Sequence, residues 1–303
     1  MNLYWPFYLS LEKELLDISK TIHLDDAQLE VYSMRMSDLL IRTVVEIEAI
    51  SKELFTANGG AIPGDQQFPY FDTDCIHLFV DKWKIDKKIV LVSNSSLFFD
   101  KDENIALTPL HKAHKRGSSG ADWAKAYQAV KHDRSNSLKK GTIKMFIRAL
   151  AALYLLNIYY RDENISLEHD CTGGSHDFSL GSSIFSVKCH GKGSTIQMDG
   201  SYPKNTDYDE CVYLSVPDKE KYQKVVQLVK DREDQALHLA IEKLEEEVNH
   251  VSDPIAYFKT HAKTRLDELR QQMLEKLMKD QALQIGKFMI DMNYDGVLNK
   301  NQY

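Results

Sequence analysis

Apolar and polar residues alternate along this chain with the helical period over most of its length. In LSLEKELLDISKTI, residues 9–22, Leu11, Leu15, Ile18 and Ile22 share one stripe, as on an amphipathic helix. Asp25 and Asp26 are placed to cap a longer helix over 27–57. There Leu29, Tyr32, Met36, Leu39, Leu40, Val44, Ile47, Ile50 and Leu54 keep the period. Asn58-Gly59-Gly60 ends it, and Pro63-Gly64 continues the break. A short helical pattern follows over 72–83.

The pattern changes at 88–108. KIVLVS and SLFF are β-rich runs separated by Asn94 and Ser95, which predicts a β-hairpin insertion near 86–108. Gly117 and Gly120 mark a loop. Asp122 or Ser119 then caps a helix through Trp123, Tyr127 and Val130, and SNSLKKG is a polar break. Residues 142–160 are apolar nearly all round, as expected of a central core helix. SIFSVKCH, STIQMD and CVYLSV, within 162–217, predict a small antiparallel sheet. From Asp218 or Pro217 to about 290 the chain reads as helix, broken at Ser252-Asp253-Pro254, where Pro254 suits a first helical turn. Stripes at Tyr222, Val225, Val226, Val229 and at Leu266, Leu269, Met273, Leu277 fit a hairpin that completes a core or serves a protein partner. The expected fold is α+β, mainly α: a helical part over 1–161, a β region over 162–217 and C-terminal helices over 218–303.

Composition narrows the function classes. A chain of 303 residues can build its own core. No run reaches the roughly 18–20 apolar residues of a membrane span. The nearest, 149–156, is flanked by Arg148 and Asn157. The N-terminal stretch lacks a basic region before its apolar residues, so no signal peptide is expected. Cys75, Cys171, Cys189 and Cys211 form no C-x-x-C pair, which suits a reducing, cytoplasmic setting. No G-x-S-x-G, H-E-x-x-H or G-x-G-x-x-G occurs, and no cofactor is expected.

Charge is unevenly distributed. The chain carries a net −7, yet residues 110–148 hold ten Lys/Arg against Asp122 and Asp133. That segment is therefore +8 and the remainder −15. A concentrated positive field within an acidic protein suits a phosphate-bearing partner such as RNA or a nucleotide. The competing reading is a field cancelled internally, because residues 24–57 hold seven acids and three bases. Candidate phosphate contacts are Lys112, Lys115, Arg116, Lys125, Gln128, Lys131, Arg134, Lys139 and Lys140. On a helix, Lys125, Gln128 and His132 share a face. A histidine beside cations can serve as acid or base at physiological pH. It can equally sit at a helix C-terminus, which favours cations.

WAKAYQAVKHDR followed by IRALAALYLLNIYY, with VVEIEAISKEL upstream, resembles helical HEPN-type proteins of bacteria. These often carry a W-x-x-Y-[NQ]-x-V-K-H-x-R-like signature before the last core helix. The resemblance covers 9–57 and 121–160. It implies a HEPN-like bundle, homodimers with paired motif helices, and a role in bacterial defence or stress. Ribonuclease members are marked by R-x(4–6)-H and an E-x3-K-R element one helix earlier. By that resemblance His132 takes the His position and would be acid or base, while Glu48 and Lys52 match E-x3-K. Glu53 stands where the arginine would follow. The motif arginine is absent: Lys125 has the spacing, but it offers a point charge rather than a planar fork. The resemblance thus leaves three readings open: a phosphate-binding module, a metal-independent ribonuclease using His132, Lys125 and Glu48, and a non-catalytic assembly subunit acting through 218–303.

Two stretches carry metal-type donors, yet no metal site is expected at either: a polar C-terminal Asp-Gly turn and thiols in a small sheet account for them. Asp291, Asn293 and Asp295, with Gly296, match the opening of an EF-hand loop, although Gln302 replaces its bidentate Glu. Cys171, His176, Cys189, His190 and Cys211 supply zinc-type donors without a paired knuckle spacing.

Overall fold

A computed structural model describes residues 2–62, 64, 66–191 and 201–303 of the chain. The fold is mixed α+β and mainly helical, with small sheets and a C-terminal pair of long helices. In chain order its elements are α1 (Tyr4–Ser19), β1 (Leu24–Asp25), α2 (Met34–Ala57), α3 (Ile76–Trp83), β2 (Val90–Val92), β3 (Leu97–Phe98), α4 (Asp102–Ile105), β4 (Ala106–Leu107), α5 (Asp122–His132), α6 (Arg134–Ser137), α7 (Ile143–Arg161), β5 (Ile165–Glu168), β6 (Phe185–Val187), β7 (Cys189–His190), β8 (Tyr213–Pro217), α8 (Lys219–Asn249), α9 (Pro254–Thr260), α10 (Ala262–Ile290) and β9 (Tyr294–Leu298).

The apolar stripes explain the helical layer. α7 is buried nearly all round, from Ile143 to Tyr159, and α1, α2 and α5 pack on it. Leu11, Leu15 and Ile18 of α1 face inward, as do Met36, Leu39, Leu40, Val44, Ile47, Ile50 and Leu54 of α2. Thr142 starts α7 by accepting a hydrogen bond from the Met145 amide at 3.3 Å.

α2 begins seven residues later than its period predicts, after Ser33, whose hydroxyl accepts from the Met36 amide at 3.1 Å. Asp25 and Asp26 do not cap it. Asp25 turns back on the Ala27 and Gln28 amides. Asp26 accepts from the Asp100 and Lys101 amides and from Asn104. Residues 26–30 are instead turns, and 29–32 run alongside the start of α7: Leu29 and Val31 accept from the Lys144 and Ile143 amides, and Tyr32 bridges Thr142. Tyr32 is thereby left exposed. Backbone pairing to α7 outweighs local helical propensity here.

The expected KIVLVS–SLFF hairpin does not form. β2 pairs antiparallel with β4 and β6, whereas β3 pairs parallel with β1. Asn94 diverts the chain, donating to the Ser183 carbonyl and accepting from the Ser96 amide. SIFSVKCH divides between two sheets, β6 joining β2 and β7 joining β8. The STIQMD strand lies outside the described residues. The second sheet has the order β5-β9-β8-β7 and is antiparallel except at β7·β8. Its central strand β9 comes from the far C-terminus, so the core cluster runs from Tyr4 to Leu298.

That strand stands where a polar turn is expected, at the EF-hand-like stretch. Asp291 caps the end of α10, and Asp295 projects outward from β9 between Ser166 and Val216. Tyr294, Gly296 and Leu298 face inward. A strand hydrogen-bonded on both edges cannot wrap Asp291, Asn293 and Asp295 around one ion, and the tyrosine–leucine alternation secures the strand.

Asp218 caps α8 by accepting from the Lys221 amide, and Asp253 caps α9 with Pro254 in its first turn. α8 and α10 pack as an antiparallel hairpin around a separate small core of Ala240, Leu244, Ala262 and Leu269.

Candidate functional site: a basic cavity between α2 and α5

Val44, Glu48 and Lys52 are spaced four apart on α2 and form one ridge. Trp123, Ala124, Tyr127, Gln128 and Lys131 of α5 face them. With Tyr70, Phe71, Asp72 and the 113–120 loop they enclose a cavity of about 790 Å³. α5 begins at Asp122 without a side-chain cap, contrary to the expectation for Asp122 or Ser119. Trp123 anchors it: the ring is buried, its Nε1–H donates to the Pro109 carbonyl at 2.8 Å, and Phe71 lies 6.0 Å away. The loop wall depends on two glycines. Gly117 has φ +62°, and a Cβ at Gly120 would lie 2.7 Å from the Lys115 carbonyl oxygen.

Five cations line this cavity: Lys52, Lys115, Arg116, Lys125 and Lys131, against the two carboxylates Glu48 and Asp72. Arg116 grips Asp72 in a bidentate pair, at 2.5 and 2.8 Å, and lies over the Tyr70 ring. That hydrogen bonding holds its guanidinium above its ordinary value. Lys125 pairs with Asp122 at 2.8 Å, and Arg148 reaches the same carboxylate at 3.5 Å. Its bond to Lys125 holds the Asp122 carboxyl below the usual range. Lys131 sits 5.2 Å from the Tyr127 ring, and Lys52 sits 5.6 Å from that of Phe68. Hydrogen bonding to Tyr127 raises Lys131. Among the described residues, Lys112, Lys115, Lys131, Arg134, Lys139 and Lys140 make no ion pair. The expectation of internal cancellation is therefore met only in part. α2 contributes one carboxylate, Glu48, to the cavity, while Arg116 and Lys125 are neutralised by Asp72 and Asp122.

The predicted residues separate into three groups. Glu48, Lys52, Lys115, Arg116, Lys125, Gln128 and Lys131 meet at the cavity. Lys112 lines an adjoining hollow of about 440 Å³ with His111 and Arg148, and the two hollows share Lys115, Ser118 and Lys125. Arg134, Lys139 and Lys140 are exposed on α6 and the turn after it, and line neither hollow. His132 is exposed at the end of α5 and is not in the cavity wall. Its Nε2 lies 3.1 Å from the Gln128 Oε1, so the wall and the imidazole are joined through that amide. Glu53 has a structural role, accepting from the Tyr4 and Tyr160 hydroxyls, which hold its carboxyl below the usual range.

Periodicity could not reveal Tyr70, Phe71 and Asp72, which lie some fifty residues from α5. The only sequence signal there was a Pro-Tyr-Phe-Asp run after a break. Cys171, His176 and Cys189 join no donor cluster among the described residues, whereas His190 and Cys211 come together with Asp207.

An open, cation-rich hollow with an apolar floor can hold a phosphate at its rim. The arginine is the donor with planar, bidentate geometry. Comparison of the chain with protein-family models, with curated proteins and with solved structures returned no match.

Proposed function

We propose that this protein is a HEPN-like module that recognises the phosphates of RNA or of a nucleotide, acting in the cytoplasm of a bacterium in defence or stress response. The bundle of α1, α2, α5 and α7 is its HEPN-like part, and 86–108 is the insertion. One observation carries the reading: residues drawn from two separated motifs, Glu48 and Lys52 on α2 with Lys125, Gln128 and Lys131 on α5, share one cavity wall. Arg116 supplies from the preceding loop the guanidinium fork that α5 itself lacks. Fluorescence anisotropy with labelled single-stranded RNA tests this. Binding should weaken as salt rises, because phosphate neutralisation releases counterions. Salt-independent binding, or none to RNA or nucleotides, would remove the proposal.

A second reading, a metal-independent ribonuclease, is favoured by the Gln128–His132 contact, which places an imidazole one amide away from the cavity. In that reading His132 moves the proton, Lys125 and Arg116 hold the phosphate, and Glu48 orients them. RNA cleavage lost in His132→Ala supports it, and cleavage unchanged in that variant removes it. The homodimer implied by the family resemblance is tested by light scattering at micromolar concentration.

A further inference from the structure

The second sheet brings together a group of donors that the cavity does not use. His190 ends β7 and is fully buried. Asp207 and Cys211 follow in the turn before β8. The Cys211 amide donates to the Asp207 carbonyl at 3.0 Å, closing a single helical turn that puts both side chains on one side. A ring nitrogen of His190, a carboxylate oxygen of Asp207 and Cys211 Sγ all lie within 4.8 Å of one another, and Nδ1 is the nitrogen that faces Asp207.

The hydrogen-bond inventory of His190 is unusual. Its Nε2 lies 3.0 Å from the Pro203 carbonyl oxygen, which can only accept, so Nε2 carries a proton. Its Nδ1 lies 2.9 Å from Asp207 Oδ1, an oxygen that as a carboxylate only accepts. Two acceptors at that separation require a positive centre between them. A second proton would serve the His–Asp pair alone. A metal ion would also engage the Cys211 sulfur, 3.6 Å from the other Asp207 oxygen.

We propose that His190 Nδ1, Asp207 and Cys211 Sγ bind one divalent ion of the zinc class. Nitrogen, oxygen and sulfur donors together match zinc, whose bonds to them run about 2.0–2.3 Å. The Nε2–H bond to a backbone carbonyl is the outer contact that metal-bound imidazoles usually make, fixing tautomer and ring angle. Tyr202 and Tyr208 wall the imidazole at centroid distances of 5.5 and 5.4 Å, giving the site an aromatic shell. The Asp207 side chain is 47% exposed and provides the entry path. Among the described residues the site has three protein donors, and zinc takes four ligands. The site stands independently of the phosphate reading.

The test uses the full chain purified without chelator, loaded with zinc and dialysed. Elemental analysis should find about one zinc per chain. Cobalt substitution should give visible d–d bands and a near-ultraviolet thiolate-to-metal charge-transfer band. Cys211→Ser should abolish the charge-transfer band, whereas Cys75→Ser should leave it intact. Asp207→Asn, at a half-exposed position, should weaken metal affinity about 10-fold or more while circular dichroism stays native. Zinc well below stoichiometry after loading, or a charge-transfer band that survives Cys211→Ser, would overturn the proposal. The cluster would then be a protonated His–Asp pair beside a buried thiol.

Discussion

The pair between Arg116 and Asp72 allows two variants with effects of opposite sign. The two side chains are 57% and 32% exposed, so their pairing is worth about 0.5–1 kcal/mol to folding. Neither Asp72→Asn nor Arg116→Ala should therefore unfold the protein. Their effects on RNA should diverge. If Arg116 is the phosphate fork, Asp72 is its competitor. An incoming phosphate held roughly 5.5 Å from that carboxylate, at an effective dielectric of roughly 60, is repelled by about 1 kcal/mol. Asp72→Asn removes this repulsion and should tighten binding about 5-fold at low salt. Arg116→Ala removes a charge-assisted bond worth about 1.5–3 kcal/mol, a loss of about 10- to 150-fold. It should also reduce the slope of log affinity against log salt by about 0.7, one single-strand phosphate contact. Arg116→Lys should restore the slope but only part of the affinity, because an ammonium cannot bond bidentately. The assay is anisotropy with a labelled single-stranded RNA at several salt concentrations. A simple staple for the 113–120 loop predicts that both variants weaken binding. That result in Asp72→Asn would refute the reasoning, even with RNA binding itself intact.

Three further outcomes are expected. Hydrogen bonds from Asn104 and from the Asp100 and Lys101 amides lower the Asp26 carboxyl below its ordinary value, so its stabilisation is present above the unfolded carboxylate range and lost as pH falls. Asp26→Asn should be less stable than the parent at pH 7, with a gap that narrows towards pH 2 in denaturant titrations; a constant gap counts against the carboxylate as the cause. Trp123→Ala should cost about 3–5 kcal/mol, since it empties a buried site and leaves the Pro109 carbonyl without its donor, and thermal unfolding measures the loss. Leu269→Ala should cost about 2–4 kcal/mol within the α8–α10 core alone. Proteolysis near 250–262 should then accelerate, while the fluorescence transition of Trp5, Trp83 and Trp123, all outside the hairpin, stays in place; an equal shift in both would mean that the two cores unfold together.

How much was legible in the sequence depended on the range of the determining contact. The stripes of α1, α2 and α7, the apolar completeness of α7, the helix start at Asp218 and the break at Pro254 are effects of neighbours within a turn or two, and local pattern exposes them. The clustering of Lys115, Arg116, Lys125 and Lys131 was legible for the same reason. Tertiary contacts decided the rest. Asp25 and Asp26 have the chemistry of helix caps, but backbone groups 74 and 75 residues away claimed Asp26. The Asp-Gly run of 291–296 has ligand spacing, but pairing with β5 and β8 made it a strand. His190, Asp207 and Cys211 became neighbours only through the β7·β8 pairing and the turn before β8. Local composition thus determined which segments coil into helices and where positive charge collects. Long-range contacts, whose partners no single segment contains, decided the rest: backbone pairing set strand registry, a side-chain ion pair joined Asp72 to Arg116, and helix packing placed α2 opposite α5.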